Sequence, residues 1–483
     1  MGMVTEMPKK SKKRKKRTTH SIEVEFSDEK VTSFGGMVLQ QRAAMRLRLW
    51  SILAHHLPER SGDYSWLEVV QSMIAGLLTG ARGTFVAEDL REDEALLELL
   101  GLPGAPEEAT VWRCLDGLGE LTDAGVFQRV QTAWVRKILR LLPRRDLLEC
   151  EGFLPVFADG SLLEGSTRRE GSKYIPQKGA GLMWATVFVG PLVARQALAK
   201  KGEGEESLIR SMLGEVVKEV LKPLKLQERA LLLADSLHGD GPTLDEAERL
   251  GLHYVVGAGG LKKTHQTLRD LPESQWHDLG ANKKRGWESS AVCQCWLQCD
   301  GWAHKRLLIG RRVRRQGEMF ETYYGVLTNL TEADLKNASG LDLIKRVWRL
   351  YDAKGRMELG YQELLSDLGL HHPPCREHRR NAGFYSVATL AHTLGAAVKL
   401  IGLQADQKHQ REQERLREKR EGAPPRVHVR PRRGMRLWRV RRRLFALPGR
   451  VSWHARRMKV TLLGVGPGVR EQFERWRHAI ARC

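Results

Sequence analysis

The sequence predicts an α/β core, and three observations carry that expectation. Two short apolar runs each close on an aspartate: Phe153-Leu154-Pro155-Val156-Phe157-Ala158-Asp159 and Ala230-Leu231-Leu232-Leu233-Ala234-Asp235. Runs of this length bounded by turn residues read as buried strands. Across residues 150–256, strand-like and helix-like patterns alternate, as they do in doubly layered α/β domains. A long helical pattern near 341–370 then carries Glu358. An acid just past a strand end sits at the sheet rim, where open α/β folds place their sites.

The elements follow in order. Residues 1–35 read as a basic, disordered arm whose lead at 18–36 is flexible or extended, and 36–147 as helical. Leu67, Val70, Met73, Ile74, Leu77 and Leu78 keep the spacing of an amphipathic helix. Pro103 and Pro106 interrupt the chain. One helix then starts near Glu107, carrying Thr110, Trp112 and Arg113, and another spans about 123–142. Short helices with tight turns suit either a helix-turn-helix DNA reader or a plain bundle. Strands are expected at 153–158, 183–189, 230–234 and 253–257, with helices at 205–222 and 243–250. The first part of the core is therefore 148–258. Residues 259–335 read as a β-rich insertion, with strands near 290–297, 306–312 and 323–329. Residues 336–405 return to helix, with a small-residue-rich helix at 383–403, and 406–483 form a charged linker and basic tail with a hairpin near Pro448-Gly449 and a short amphipathic helix at 469–482.

On the helix around Glu358, Leu341, Ile344, Val347, Trp348 and Tyr351 form an apolar stripe. Glu358, seven residues past Tyr351, returns to nearly the same face. A carboxylate there is costly unless paired or bound to metal. Pairing with Lys354, one turn earlier, is the simpler alternative. Two strand-end aspartates in the same chain favour metal, because two Asp and one Glu can hold a pair of hard cations with positions open for phosphate oxygens.

Charge points to a polyanionic partner. The chain of 483 residues carries a net charge of +22. Residues 1–17 hold 8 Lys/Arg against 1 acid, and residues 406–483 hold 23 against 7, so the centre is almost neutral. Basic ends flanking a conventional core are the footprint of a nucleic-acid binder. No apolar run reads as long enough to span a bilayer, and the basic start lacks the apolar stretch of a secretory signal. Seven scattered cysteines suit a reducing compartment.

Other patterns fall short. Cys293, Cys295 and Cys299 read as half-buried thiols on one strand face, and the His371–His378 stretch as a proline-stiffened loop. Gly257 to Thr264 has the composition of a phosphate loop, but Lys262 stands where that motif needs Gly. Neither Ser161 nor Ser236 lies in a Gly-x-Ser-x-Gly elbow. Glu164 and Asp240, near the aspartates, read as solvated acids.

Taken together, these segments resemble DDE-type transposases of bacterial insertion sequences. The resemblance rests on Phe157-Ala158-Asp159-Gly160-Ser161, Ala234-Asp235-Ser236-Leu237-His238-Gly239, Gly251 to Gly257, Tyr324 to Asn329, Tyr351 to Glu358 and Asn381 to Leu394. Upstream, Ala87 to Asp93 and Thr110 to Arg113 also fit. It implies an RNase H-like catalytic core split by the β-rich insertion, an N-terminal helical DNA-binding region and a basic C-terminal tail. It implies Asp159, Asp235 and Glu358 as catalytic ligands of Mg²⁺, with Mn²⁺ able to substitute. It implies DNA as partner, both the element's terminal inverted repeats and the target, a homodimer in the DNA complex, and a cytoplasmic, nucleoid-associated bacterial protein. Tyr351 matches the family's helix motif, Lys354 stands for its Arg, and Leu365 stands where the family has Lys, with Arg356 or Arg349 placed to compensate. Arg113 in the helical region and Trp287 or Trp302 in the insertion complete the expected DNA contacts. A buried structural role competes for both tryptophans.

Overall fold

The computed structural model describes residues 29–176, 179–336, 338–421 and 435–483. The basic run at 9–17 lies outside these. Thirteen strands appear among the described residues: β1 Val31–Thr32, β2 Leu154–Glu164, β3 Lys173–Ile175, β4 Gly179–Val189, β5 Leu192–Leu198, β6 Ala230–Ala234, β7 His253–Gly257, β8 His277–Asp278, β9 Trp287–Leu297, β10 Arg306–Arg315, β11 Thr322–Thr328, β12 Gly449–His454 and β13 Arg457–Leu462.

Strands β2 to β11 build one mixed sheet of ten, in the order β3-β4-β2-β6-β7-β11-β10-β9-β8, with β5 also on β4. Its centre is parallel, β2 beside β6 beside β7. β6 is wholly buried and all aliphatic, as a strand covered on both faces must be. Strands β8 to β11, within the stretch 259–335, continue the same sheet, because β11 pairs antiparallel with β7 through Val326↔Gly257 and Thr328↔Val255.

Helices cover the sheet. Trp66–Thr79 begins with a capping box, Ser65 accepting from the Glu68 N–H and Glu68 from the Ser65 N–H, which satisfies two backbone donors otherwise left open. Glu108–Asp123 and Val126–Leu141 follow. The longest helix among the described residues, His378–Glu421, is almost wholly buried over 384–401 and mostly exposed beyond 407, and it absorbs both the small-residue helix and the charged linker. Part of it is long and apolar enough to cross a bilayer, contrary to the sequence expectation, but 89% of that window is buried inside the protein. It is a core helix.

Two further expectations change. The lead at 29–35 is partly ordered, because Val31 and Thr32 pair with Arg450 and Gly449 of β12. The tail is also packed structure: Leu437, Val440, Leu444, Phe445, Phe473, Trp476 and Ile480 are buried. Arg441 is anchored by the carbonyls of Leu77, Leu78 and Asp367.

Candidate active site

Register brings the two aspartates together. β2 and β6 pair in parallel up to Ala158↔Ala234. Asp159 and Asp235 are the next residues on neighbouring strands, which lie about 4.8 Å apart. β6 stops there, and Asp235 caps a short turn at Ser236–His238 by accepting from the Leu237 N–H at 2.9 Å. β2 instead runs on to Glu164 against β4, with Asp159 opposite Thr186. Asp159 is therefore within its strand and not past its end. It still lies at the rim of the parallel ladder, because its partner on that side has ended.

The helical segment closes one side of the cleft. Gly340–Asp352 carries Tyr351, whose hydroxyl would lie 2.7 Å from any Cβ built on Gly257. Glycine at the end of β7 leaves room for that hydroxyl and for the backbone of Asp235 and Ser236. Tyr361 donates to the Asp159 carbonyl at 2.7 Å and meets the Thr186 hydroxyl, fixing the Gly355–Gln362 helix beside β2. Between the two helices the chain turns at Ala353 and Lys354. That turn changes the register assumed for Glu358. The inward positions of the second helix are Met357 and Tyr361, while Glu358 is exposed. The continuous stripe expected from Tyr351 to Glu358 is thus broken, with Gly355, a poor helix former, at the break.

Two residues that sequence reasoning missed enter the cleft. Glu205 opens the Glu205–Val216 helix and is 6% exposed. His238 ends the turn after Asp235 and is fully buried. A Cβ at Gly160 would run into the Glu205 carboxylate, so β2 leaves a notch for it. His238 Nε2 is 3.3 Å from Glu205 Oε1 and 3.9 Å from Asp235 Oδ1. Asp159, Glu205 and His238 each offer a ligand atom, and those atoms lie within 4.8 Å of one another. The sequence signals were faint: an acid at a helix start, and a His three residues after the second Asp.

The electrostatics follow from this crowding. Burial, then the negative charge of Asp235, push the Asp159 carboxyl up to about 6, against the pull of Lys354. Burial opposes charge on His238, but Glu205, Asp235 and Asp159 outweigh it and raise its pKa. Burial and the two aspartates raise the Tyr351 hydroxyl as well. Carboxylates held this close favour a cation. The donor set therefore fits a divalent ion.

The other expected contacts are scattered. Arg356 pairs with Glu149, and Arg349 lies 3.4 Å from Glu151. Arg113 folds back on Ala109 and Thr110 of its own helix. Trp287 is half-buried between Arg285 and Arg311. Trp302 is 9% exposed and fills the space beside Gly241, so it is closed to a base. Leu365 packs against the core. Glu164 is exposed as expected, whereas Asp240 is half-buried near Arg210. Burial holds the thiols of Cys293 at about 12 and Cys295 at about 11, which suits core thiols over metal ligands. A second acidic group, Asp245, Glu248 and His304, is held by the buried Arg306.

Residues 192–420 match a family model described as transposase DDE domain, group 1. This match supports a DDE-type transposase. The matched stretch holds Glu205, Asp235, His238 and Glu358; Asp159 precedes it. No curated protein matches the chain. Among solved structures, the chain is similar to a piggyBac transposase synaptic complex with hairpin DNA, determined by cryo-EM. That similarity is 15% identity over 74% of this chain and 76% of the other, with a TM-score of 0.34.

Proposed function

We propose that this chain is a transposase that binds the ends of its own mobile element, cleaves DNA by metal-assisted hydrolysis and joins the freed 3′-hydroxyls to target DNA. The observation that carries this reading is the adjacency of Asp159 and Asp235 at the end of the parallel ladder, together with the family match over 192–420. The order β5-β4-β2-β6-β7, antiparallel then parallel, supports reading the core as RNase H-like. Divalent ions, Mg²⁺ or Mn²⁺, would activate the attacking water or 3′-hydroxyl and neutralise the leaving oxygen. Asp159 and Asp235 bind on the sheet side. Lys354 and Tyr351 position the scissile phosphate from the helix side. Arg349, Arg356 and Arg113 contact flanking phosphates, and Trp287 stacks from the insertion. Glu358, exposed on the Gly355–Gln362 helix, is the third acidic ligand in this reading. The protein works in the bacterial cytoplasm on the nucleoid, as a homodimer holding both ends.

A second reading has a specific observation behind it. Glu358 is exposed and Leu365 replaces the family Lys, which suits an end-binding relative that does not cut. One assay separates the readings: a duplex carrying the element's own ends is incubated with Mg²⁺ and target plasmid. Nicking and joined product, both reduced in Glu358→Gln, support the transposase. Nicking without joining makes it a nuclease. Retention of the duplex without nicking makes it the inactive relative.

A further inference from the structure

We infer that Glu205 and His238 join Asp159 as ligands of one ion, and that the imidazole makes this position favour Mn²⁺ over Mg²⁺. The inference rests on reading the Asp159 cleft as a metal-dependent site, and adds ligands and a preference to it.

The first argument is polar accounting. Glu205 Oε1 and both ring nitrogens of His238 are buried without a hydrogen-bond partner. The two groups are 3.3 Å apart but misaligned for a hydrogen bond. Buried polar atoms are almost always paired, and an unpaired one costs about 1–3 kcal/mol. Glu205 Oε1 and the facing ring nitrogen of His238 stand beside an Asp159 carboxylate oxygen, where one cation could serve as their common partner. The second argument is geometry. Bonds of about 2.1 Å to one cation place ligand atoms roughly 3 to 4.2 Å apart. The three groups already lie within 4.8 Å, so only a small contraction is required. Gly160 reinforces this, since any side chain there would displace the Glu205 carboxylate.

The preference follows from donor chemistry. Mg²⁺ takes oxygen ligands and holds its water tightly, whereas imidazole suits later first-row ions. Two carboxylates and one imidazole suit Mn²⁺, which accepts both donor types. By contrast, His304 in the second acidic group stands beside Glu248 and the buried Arg306, whose cation already occupies that position.

The test uses the full chain without DNA. Mn²⁺ is titrated into wild type, and pulsed EPR reads nitrogen coupling to the bound ion. Coupling is expected in wild type and in His304→Gln, and lost in His238→Gln. Mn²⁺ affinity should fall tenfold or more in His238→Gln and Glu205→Gln, while Mg²⁺ affinity moves less than about threefold in His238→Gln. Mn²⁺ bound to wild type without nitrogen coupling overturns the inference, and needs no variant to fold. Coupling that survives His238→Gln overturns it as well. Mg²⁺-dependent nicking without nitrogen coupling leaves the proposed function standing while this inference fails. Nitrogen coupling without nicking does the reverse.

Discussion

Two carboxylates, the buried Glu363 and the half-buried Asp159, have surroundings built in opposite ways. Glu363 is 4% exposed and accepts from the Lys399 ammonium and, at 3.0 Å, from the Leu437 N–H. His392 stands 3.4 Å from its other oxygen. Burial alone would raise this carboxyl, but Lys399 and His392 outweigh it and hold the carboxyl down at about 2. Asp159 has acids for neighbours, Asp235 and Glu205, and its carboxyl is pushed up to about 6. The difference teaches which cluster is finished. Glu363 has its cation inside the chain and pins the C-terminal segment to the core. At Asp159 the pull of Lys354 does not offset burial and the neighbouring acids, which marks this cluster as a place for chemistry.

The contrast can be broken most sharply by activity. Asp159→Asn and Asp235→Asn should each cut Mg²⁺-dependent nicking of an element-end duplex by roughly three orders of magnitude, since ion placement supplies several kcal/mol. Glu363→Gln should leave the per-molecule nicking rate of folded protein nearly unchanged. That same Glu363→Gln should instead cost about 3 kcal/mol of stability in denaturant unfolding, because it strands the buried Lys399.

pH sharpens the comparison further. In EDTA, folding favours the protonated form of Asp159. Its contribution is present below the ordinary value of 3.8 and is lost as pH rises through about 6. Glu363 behaves oppositely: its contribution is present above 4.5 and is lost as pH falls through about 2. The melting temperature of Asp159→Asn relative to wild type should therefore climb between pH 4 and 7. A flat difference would remove the crowding argument. The smallest effect belongs to the periphery. Arg349→Ala, at a largely exposed pair with Glu151, should change stability by less than about 1 kcal/mol. It should lower the salt slope of DNA binding by about 1.

What the sequence made legible was local. The runs before Asp159 and Asp235 announce themselves because five or six consecutive apolar residues have few other uses. Their adjacency then follows from parallel pairing. Glu205 and His238 were not legible, because their roles depend on a helix start and a turn meeting across the sheet edge. Glu358 was placed on the wrong face because one continuous helix was assumed; the turn at Ala353 and Lys354 resets the register. In the tail, the amphipathic helix expected at 469–482 forms at Pro467–Ala481, and its stripe of Phe473, Trp476 and Ile480 is buried.

The most direct measurement of the central claim is thermal melting with and without divalent ion on wild type, Asp159→Asn and Glu363→Gln. Mn²⁺ should raise the melting temperature of wild type and of Glu363→Gln, and leave Asp159→Asn unmoved. An equal rise in Asp159→Asn would contradict it, because the ion would then be held somewhere other than the Asp159 cleft.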